Sequence, residues 1–362
     1  MSIRLALVDS NSRYIEKLAA WIHKNMPYQF SIEILTNSES FQKWTEKGGQ
    51  ADLVVVSIDM VNNVLSGFPK EGVLVLDDGT HKPINQDVPR VDKYRPAEEL
   101  AKDILSLCAD RMPRMHAREK HMQSITLVIY LDGSNAVNPV APAIAHFFSA
   151  RDRKTLYFSL EEAQTTSLYF NGISTRGLNE MLYFIKSNRD NLFMRLEACL
   201  TKDPASGVHF LSEPAGLLSP QSIDTADINS LLSATDSEGD FDEIVIAAEL
   251  GMFDLIRELM GKADRILTVA INTASSSLKM ERFFQELEKG NSDMGTLKEK
   301  LRLILINIGP YDGFNGRFTD FHRYMLKPHP VETVSGWVPS ENDFSVFAAI
   351  LGDYEKAGYH HE

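Results

Sequence analysis

Short unbroken apolar runs recur along the first hundred positions, separated by stretches whose apolar residues return every third or fourth place. The runs predict buried strands, and the wider spacing predicts helices packed on them. Residues 3–8 read as a first strand and 12–26 as an amphipathic helix with Tyr14, Leu18, Trp21 and Ile22 on one face. Residues 32–36 follow as a second strand. Leu53-Val54-Val55-Val56-Ser57-Ile58 is apolar almost throughout, as a strand covered on both faces should be, and 73–76 repeats the pattern. A last helix, 97–109, follows Pro96. Alternating strand and helix predict a parallel sheet with helices on both faces.

The alternation resumes after a break. Strands are predicted at 125–131, 155–160, 208–211, 243–248, 265–270 and 301–308, with helical segments between them. The fold class expected is α/β with two doubly wound parallel-sheet domains, 1–108 and 125–362, and a chain of 362 residues is long for one core. Residues 109–124 carry Arg111, Pro113, Arg114, His116, Arg118, Lys120 and His121. This basic, weakly periodic stretch reads as a linker, and its histidines lack the further ligands that zinc requires, so no metal is expected.

Charge and cysteine usage narrow the function classes. A formal net charge of −13 argues against a surface that holds nucleic acid by its phosphates, because such binding rests on lysine and arginine displacing counterions. Cys108 and Cys199 form no CxxC pattern and read as small buried apolar residues of a cytoplasmic protein. Met1-Ser2-Ile3-Arg4-Leu5 leads directly into a strand, so no signal peptide is expected, and no apolar run is long enough to span a bilayer.

Residues 51–60, in this strand order, resemble the receiver domain of response regulators, a flavodoxin-like fold. The resemblance implies a phosphate-accepting aspartate at the end of the third strand, an acidic pair after the first, and a lysine after the fifth. Ser57 stands at the acceptor position, Asp9-Ser10 replaces the acidic pair, and Lys93 matches the lysine. Serine forms no acyl phosphate and is a poor Mg²⁺ ligand, so phosphoryl signalling through this position is not expected. Asp59 serves as acceptor only if the register slips by two. Without that slip, Asp9, Asp59, Asp77 and Asp78 read as turn and capping carboxylates.

In the second half, Arg153 to Glu161 looks like the strand of the second acidic motif in MinD/ParA-type ATPases, and Phe241 to Ala248 like their Walker B strand. Leu303-Ile304-Leu305-Ile306-Asn307 looks like the strand whose terminal asparagine reads adenine. A degenerate receiver fused to such a domain is the layout of the TadZ/CpaE family. That resemblance implies a role in placing and assembling type IVb (Flp, tight-adherence) pili at the bacterial cell pole, through homodimers and pilus-assembly partners.

The departures from the ATPase pattern are chemical. The connection after strand 125–131, Asp132-Gly133-Ser134-Asn135-Ala136, has one glycine, and no lysine or arginine occurs from Tyr130 to Ala150. Pro139 and Pro142 remove amide donors near the start of the next helix. Ser159 and Glu161 replace the second acidic motif, and Ala247 the Walker B aspartate. Phosphoryl transfer depends on positioned cations, so a pseudo-ATPase without catalytic residues or bound cofactor is expected. Weak ATP binding through Asp132, Gly133, Ser134, Asn135 and Asn307 stays open as a second reading, a nucleotide-responsive switch, and a response-regulator-like signalling protein as a third. The glycine-rich run 309–316 reads as a mobile surface turn, and 344–355 as an apolar-faced helix packed on the core or on a partner.

Overall fold

The computed structural model of the chain describes all residues except 1–2, 27–29, 81–82, 85–86, 112–122, 173–175, 220, 239–240, 291–293, 311, 332–336 and 357–362. The chain divides into two compact units, Met1–His116 with Asn188–Ala198, and Ala117–Ser187 with Cys199–Glu362. Most of the predicted linker lies outside the described residues. Its start does not: the helix expected to stop at 109 runs on to Arg111.

The first unit is built from β1 (Ile3–Val8), α1 (Ser12–Asn25), β2 (Phe30–Leu35), α2 (Ser38–Glu46), β3 (Leu53–Ser57), α3 (Val61–Leu65), β4 (Val73–Asp77), β5 (Arg90–Asp92) and α4 (Ala97–Arg111). All five strands are parallel, in the order β2-β1-β3-β4-β5, one of the two common doubly wound orders. Alternate strand residues divide the core into two faces. Leu5, Leu7, Val55 and Leu74 meet α1 and α4, while Ala6, Val8, Val54 and Val75 meet α2 and α3.

A segment expected in the second domain completes the first face. Phe193, Met194 and Ala198, from the helix Leu192–Cys199, join the cluster of α1 and α4. Asn191 Nδ2 donates to the Ala109 carbonyl at 3.1 Å, and Arg195 Nη2 lies 2.6 Å from Asp110. The boundary drawn at residue 108 therefore changes: residues 188–198 belong to the first unit, across about eighty intervening positions that periodicity alone does not bridge.

The second unit runs β6 (Ser124–Tyr130), α5 (Val140–Ser149), β7 (Thr155–Ser159) and α6 (Leu178–Lys186), then, after α7 (Leu192–Cys199), β8 (Leu200–Lys202), β9 (His209–Leu211), α8 (Thr225–Glu238), β10 (Glu243–Glu249), α9 (Phe253–Lys262), β11 (Arg265–Ile271), α10 (Ala274–Lys289), α11 (Met294–Lys300), β12 (Leu301–Ile306), β13 (His322–Leu326) and α12 (Glu341–Lys356). Its sheet has the order β13-β12-β11-β6-β10-β7-β9-β8 and is parallel except for the β8–β9 pair. Val128, Tyr130, Val245, Ala247, Val269 and Ile304 face α5 and α12, and α9 packs on β6 and β10.

β8 and β13 were not expected. Both are edge strands, and neither shows the apolar run of a central strand. α12 buries Phe347, Ile350 and Tyr354 against α5, which places the tail 344–355 on the core. No helix among the described residues is long and apolar enough to cross a membrane.

Candidate functional site

In doubly wound sheets ligands bind outside the carboxyl ends of the strands, and both sequence-derived sites lie there. In the first unit, Val8 pairs in register with Val56, which places Asp9 and Ser57 level at the next position. Lys93 follows β5, and its Nζ lies 2.6 Å from Asp9 Oδ2. Both charges are buried, Asp9 completely and Lys93 to 7% exposure. The other Asp9 oxygen accepts from the Asn11 amide at 2.8 Å.

Tyr14 closes this arrangement from α1. Its hydroxyl donates to the Lys93 carbonyl at 2.5 Å, and Lys93 Nζ stands 4.8 Å from the centre of its ring. Burial, with Asp9 nearby, pushes the phenol up to about 12. Ser57 Oγ is buried and finds no hydrogen-bond partner among the described residues. The structure thus brings Asp9, Ser57 and Lys93 to one place. Asp77 and Asp78 act as turn carboxylates, accepting from the Gly79 and Thr80 amides, and Asp59 is exposed.

The second unit ends its strands differently. Gly133, after β6, has φ +72°, a left-handed conformation that favours glycine and turns the chain back toward the sheet. The amides from Ala136 to the first turn of α5 are used within the chain. Ala136 donates to Gly133 O, Val137 and Asn138 to Ser134 O, Val140 to Asn138 O, and Ala143 to Pro139 O. Ala141 N donates to the Tyr130 hydroxyl at 2.8 Å, and residues 139 and 142 are prolines. From 136 to 143, no amide remains for a phosphate.

The predicted side chains close the same edge. Ser134 Oγ donates to Val269 O at 3.1 Å. Asn135 Nδ2 donates to Glu161 Oε1, and Ser159 Oγ donates to Glu161 Oε2 at 2.8 Å. Burial holds the Glu161 carboxyl above the usual range, the two donors oppose that shift, and Glu249 adds to it. Asp132 Oδ2 accepts from the Ile271 amide at 3.2 Å and from Ser276 Oγ. Ala247 sits in the sheet interior, in register with Val128 and Ser159. Among the described residues no ion pair involves Asp132, Glu161 or Glu249, and no group of His, Cys, Asp or Glu is arranged to hold a metal.

Asn307 lies one residue beyond β12 and is exposed, so the strand expected to reach 308 ends two residues sooner. Its side-chain oxygen accepts from Asn272 Nδ2 at 2.8 Å, and Asn272 Oδ1 accepts from the Gly313 amide at 3.0 Å. The run 309–316 is a largely exposed turn, anchored at Gly313. A Cβ there would stand 2.0 Å from the Thr273 carbonyl carbon, because this backbone lies directly on the start of α10.

Sequence reasoning missed Tyr130 and Glu249. A tyrosine at the end of an apolar strand reads as core, and only the strand-to-helix geometry shows its hydroxyl meeting the Ala141 amide. Glu249 lies two residues past the expected Walker B position because β10 extends to it, and its carboxylate accepts from the Glu162 amide.

No family model and no curated protein matches the chain. Among solved structures, a plasmid partition protein from Borrelia burgdorferi bound to AMPPNP is similar at 14% identity and a TM-score of 0.48, over 65% of this chain and 99% of that one. The ParA family ATPase from Chlorobium tepidum is similar at 12% identity and a TM-score of 0.47, over 66% and 96%. The MinC:MinD cell division complex from Aquifex aeolicus gives 14% identity and a TM-score of 0.48, over 63% and 96%.

Proposed function

We propose that this chain is a non-catalytic scaffold of TadZ/CpaE type, which helps place or assemble type IVb pilus machinery at the cell pole without hydrolysing ATP. The pilus role rests on the sequence resemblance, in which a degenerate receiver-like domain precedes a degenerate MinD/ParA-like one. The absence of catalysis is supported above all by one observation: the amides at the start of α5 are occupied internally, with Tyr130 on Ala141. Ala247 at the Walker B position and the lysine-free segment from Tyr130 to Ala150 support it further.

Self-association through the same edge fits this reading. Leu217 is 69% exposed and follows a loop tied to the end of β7 by the Leu218 amide on Glu162 O, and Ile308 beyond β12 is 56% exposed. These apolar groups flank an edge that has lost its cations and can pack against a second copy without nucleotide to neutralise charge. Phosphate release by purified protein should match buffer, and light scattering coupled to size exclusion should give a dimer mass without nucleotide. Mg²⁺-dependent turnover that disappears on changing Glu161 would overturn the non-catalytic reading. A monomer at tens of micromolar would overturn the dimer.

A further inference from the structure

At the amino edge of the second sheet, opposite the edge just described, α9, α10 and α11 line a half-open cavity of about 230 Å³. Its floor is apolar, formed by Met260 at the end of α9, Leu287 near the end of α10 and Leu297 on α11. Two cations flank that floor, Arg257 and Lys300.

Charges on the same three helices are unevenly satisfied. Glu258 pairs with Lys262, Glu286 with Lys289, and Asp320 with Lys298. Arg257, half-exposed, engages Asp254 through Nη2 at 3.1 Å, and Asp254 is largely in solvent. Lys300 Nζ donates to the Ala263 carbonyl at 3.0 Å and pairs with no carboxylate among the described residues. Gly261 leaves the cavity open, since a Cβ there would meet nothing within 4 Å.

We infer that this cavity binds a small carboxylate with an apolar tail, the tail on Met260, Leu287 and Leu297 and the carboxylate between Lys300 and Arg257. The volume is that of about eight liquid waters, enough for a tail of six to eight carbons. Two cations beside an apolar floor select an anion over its neutral isostere.

Octanoate is a suitable probe, with octanamide as its neutral control. Both are titrated into the full chain by calorimetry, while methionine-methyl spectra follow Met260. Octanoate should bind about fivefold or more tightly than octanamide and shift the Met260 methyl, and Lys300→Gln should remove most of that preference. Gly261→Leu fills the cavity from a helical position where leucine is the better helix former, so the fold is kept and binding should vanish. Equal affinity for acid and amide, no saturation with octanoate, or unchanged octanoate binding in Gly261→Leu would each overturn the assignment.

Discussion

The carboxyl edges of the two sheets occupy the same topological position and are closed by opposite means. In the first unit a buried ion pair, Asp9 with Lys93, fills the edge and leaves the Ser57 hydroxyl unused. In the second unit no cation among the described residues is involved: hydrogen bonds from Asn135 and Ser159 hold Glu161, and Tyr130 occupies the start of α5. One edge is charged and compensated, the other a mesh of polar groups around a single carboxylate. The same residue type should therefore matter differently in the two places, and losing a cation should matter only in the first.

The largest effect is expected from Lys93→Met. It leaves Asp9 buried without its partner, which costs about 3–5 kcal/mol, whereas adding Asp9→Asn should restore most of the loss. Denaturant unfolding of the three variants measures this. A loss below about 1 kcal/mol for Lys93→Met would show that Asp9 reaches water, and the contrast between the edges would fail.

Serine separates the edges next. Ser159→Ala removes a hydroxyl that donates to a carboxylate and accepts from the Glu161 amide at 3.0 Å, a loss of about 1–3 kcal/mol. Ser57→Ala removes a hydroxyl with no partner among the described residues and should stay within about 0.5 kcal/mol of the parent, or stabilise slightly. Equal losses at both positions would mean that Ser57 has a partner after all.

A smaller effect, of defined sign, concerns pH. Burial raises the Glu161 carboxyl in the folded state, so folding takes up protons and the parent gains stability as pH falls from the folded-state value toward the ordinary 4.5. Glu161→Gln carries no titrating group. The parent should therefore gain on the variant between neutral and mildly acidic pH, read as the difference between their urea midpoints. A parent that loses ground to the variant over that range would reverse the sign assigned to Glu161.

Much of this was legible in the sequence, and what was not has physical causes. β3 and β6 are nearly continuous apolar runs, so their place in the middle of parallel sheets followed from composition. Ser57, Lys93, Ser159 and Ala247 were singled out by the resemblance to receiver domains and MinD/ParA-type ATPases. β13 was missed because an edge strand with polar residues shows too little contrast. Residues 188–198 were given to the wrong domain because helical periodicity shows that a face is buried, not which core buries it. The Tyr130–Ala141 contact joins two residues that each look ordinary, and only the folded turn brings them together.

The central proposal is that the start of α5, from 136 to 143, offers no amide to a phosphate. It is tested most directly by titrating Mg²⁺-ATP into the full chain by calorimetry, while the Ala141 amide resonance is followed. The account predicts no saturable heat and an unmoved Ala141 signal. Saturable binding that shifts the Ala141 amide away from its Tyr130 bond would contradict it.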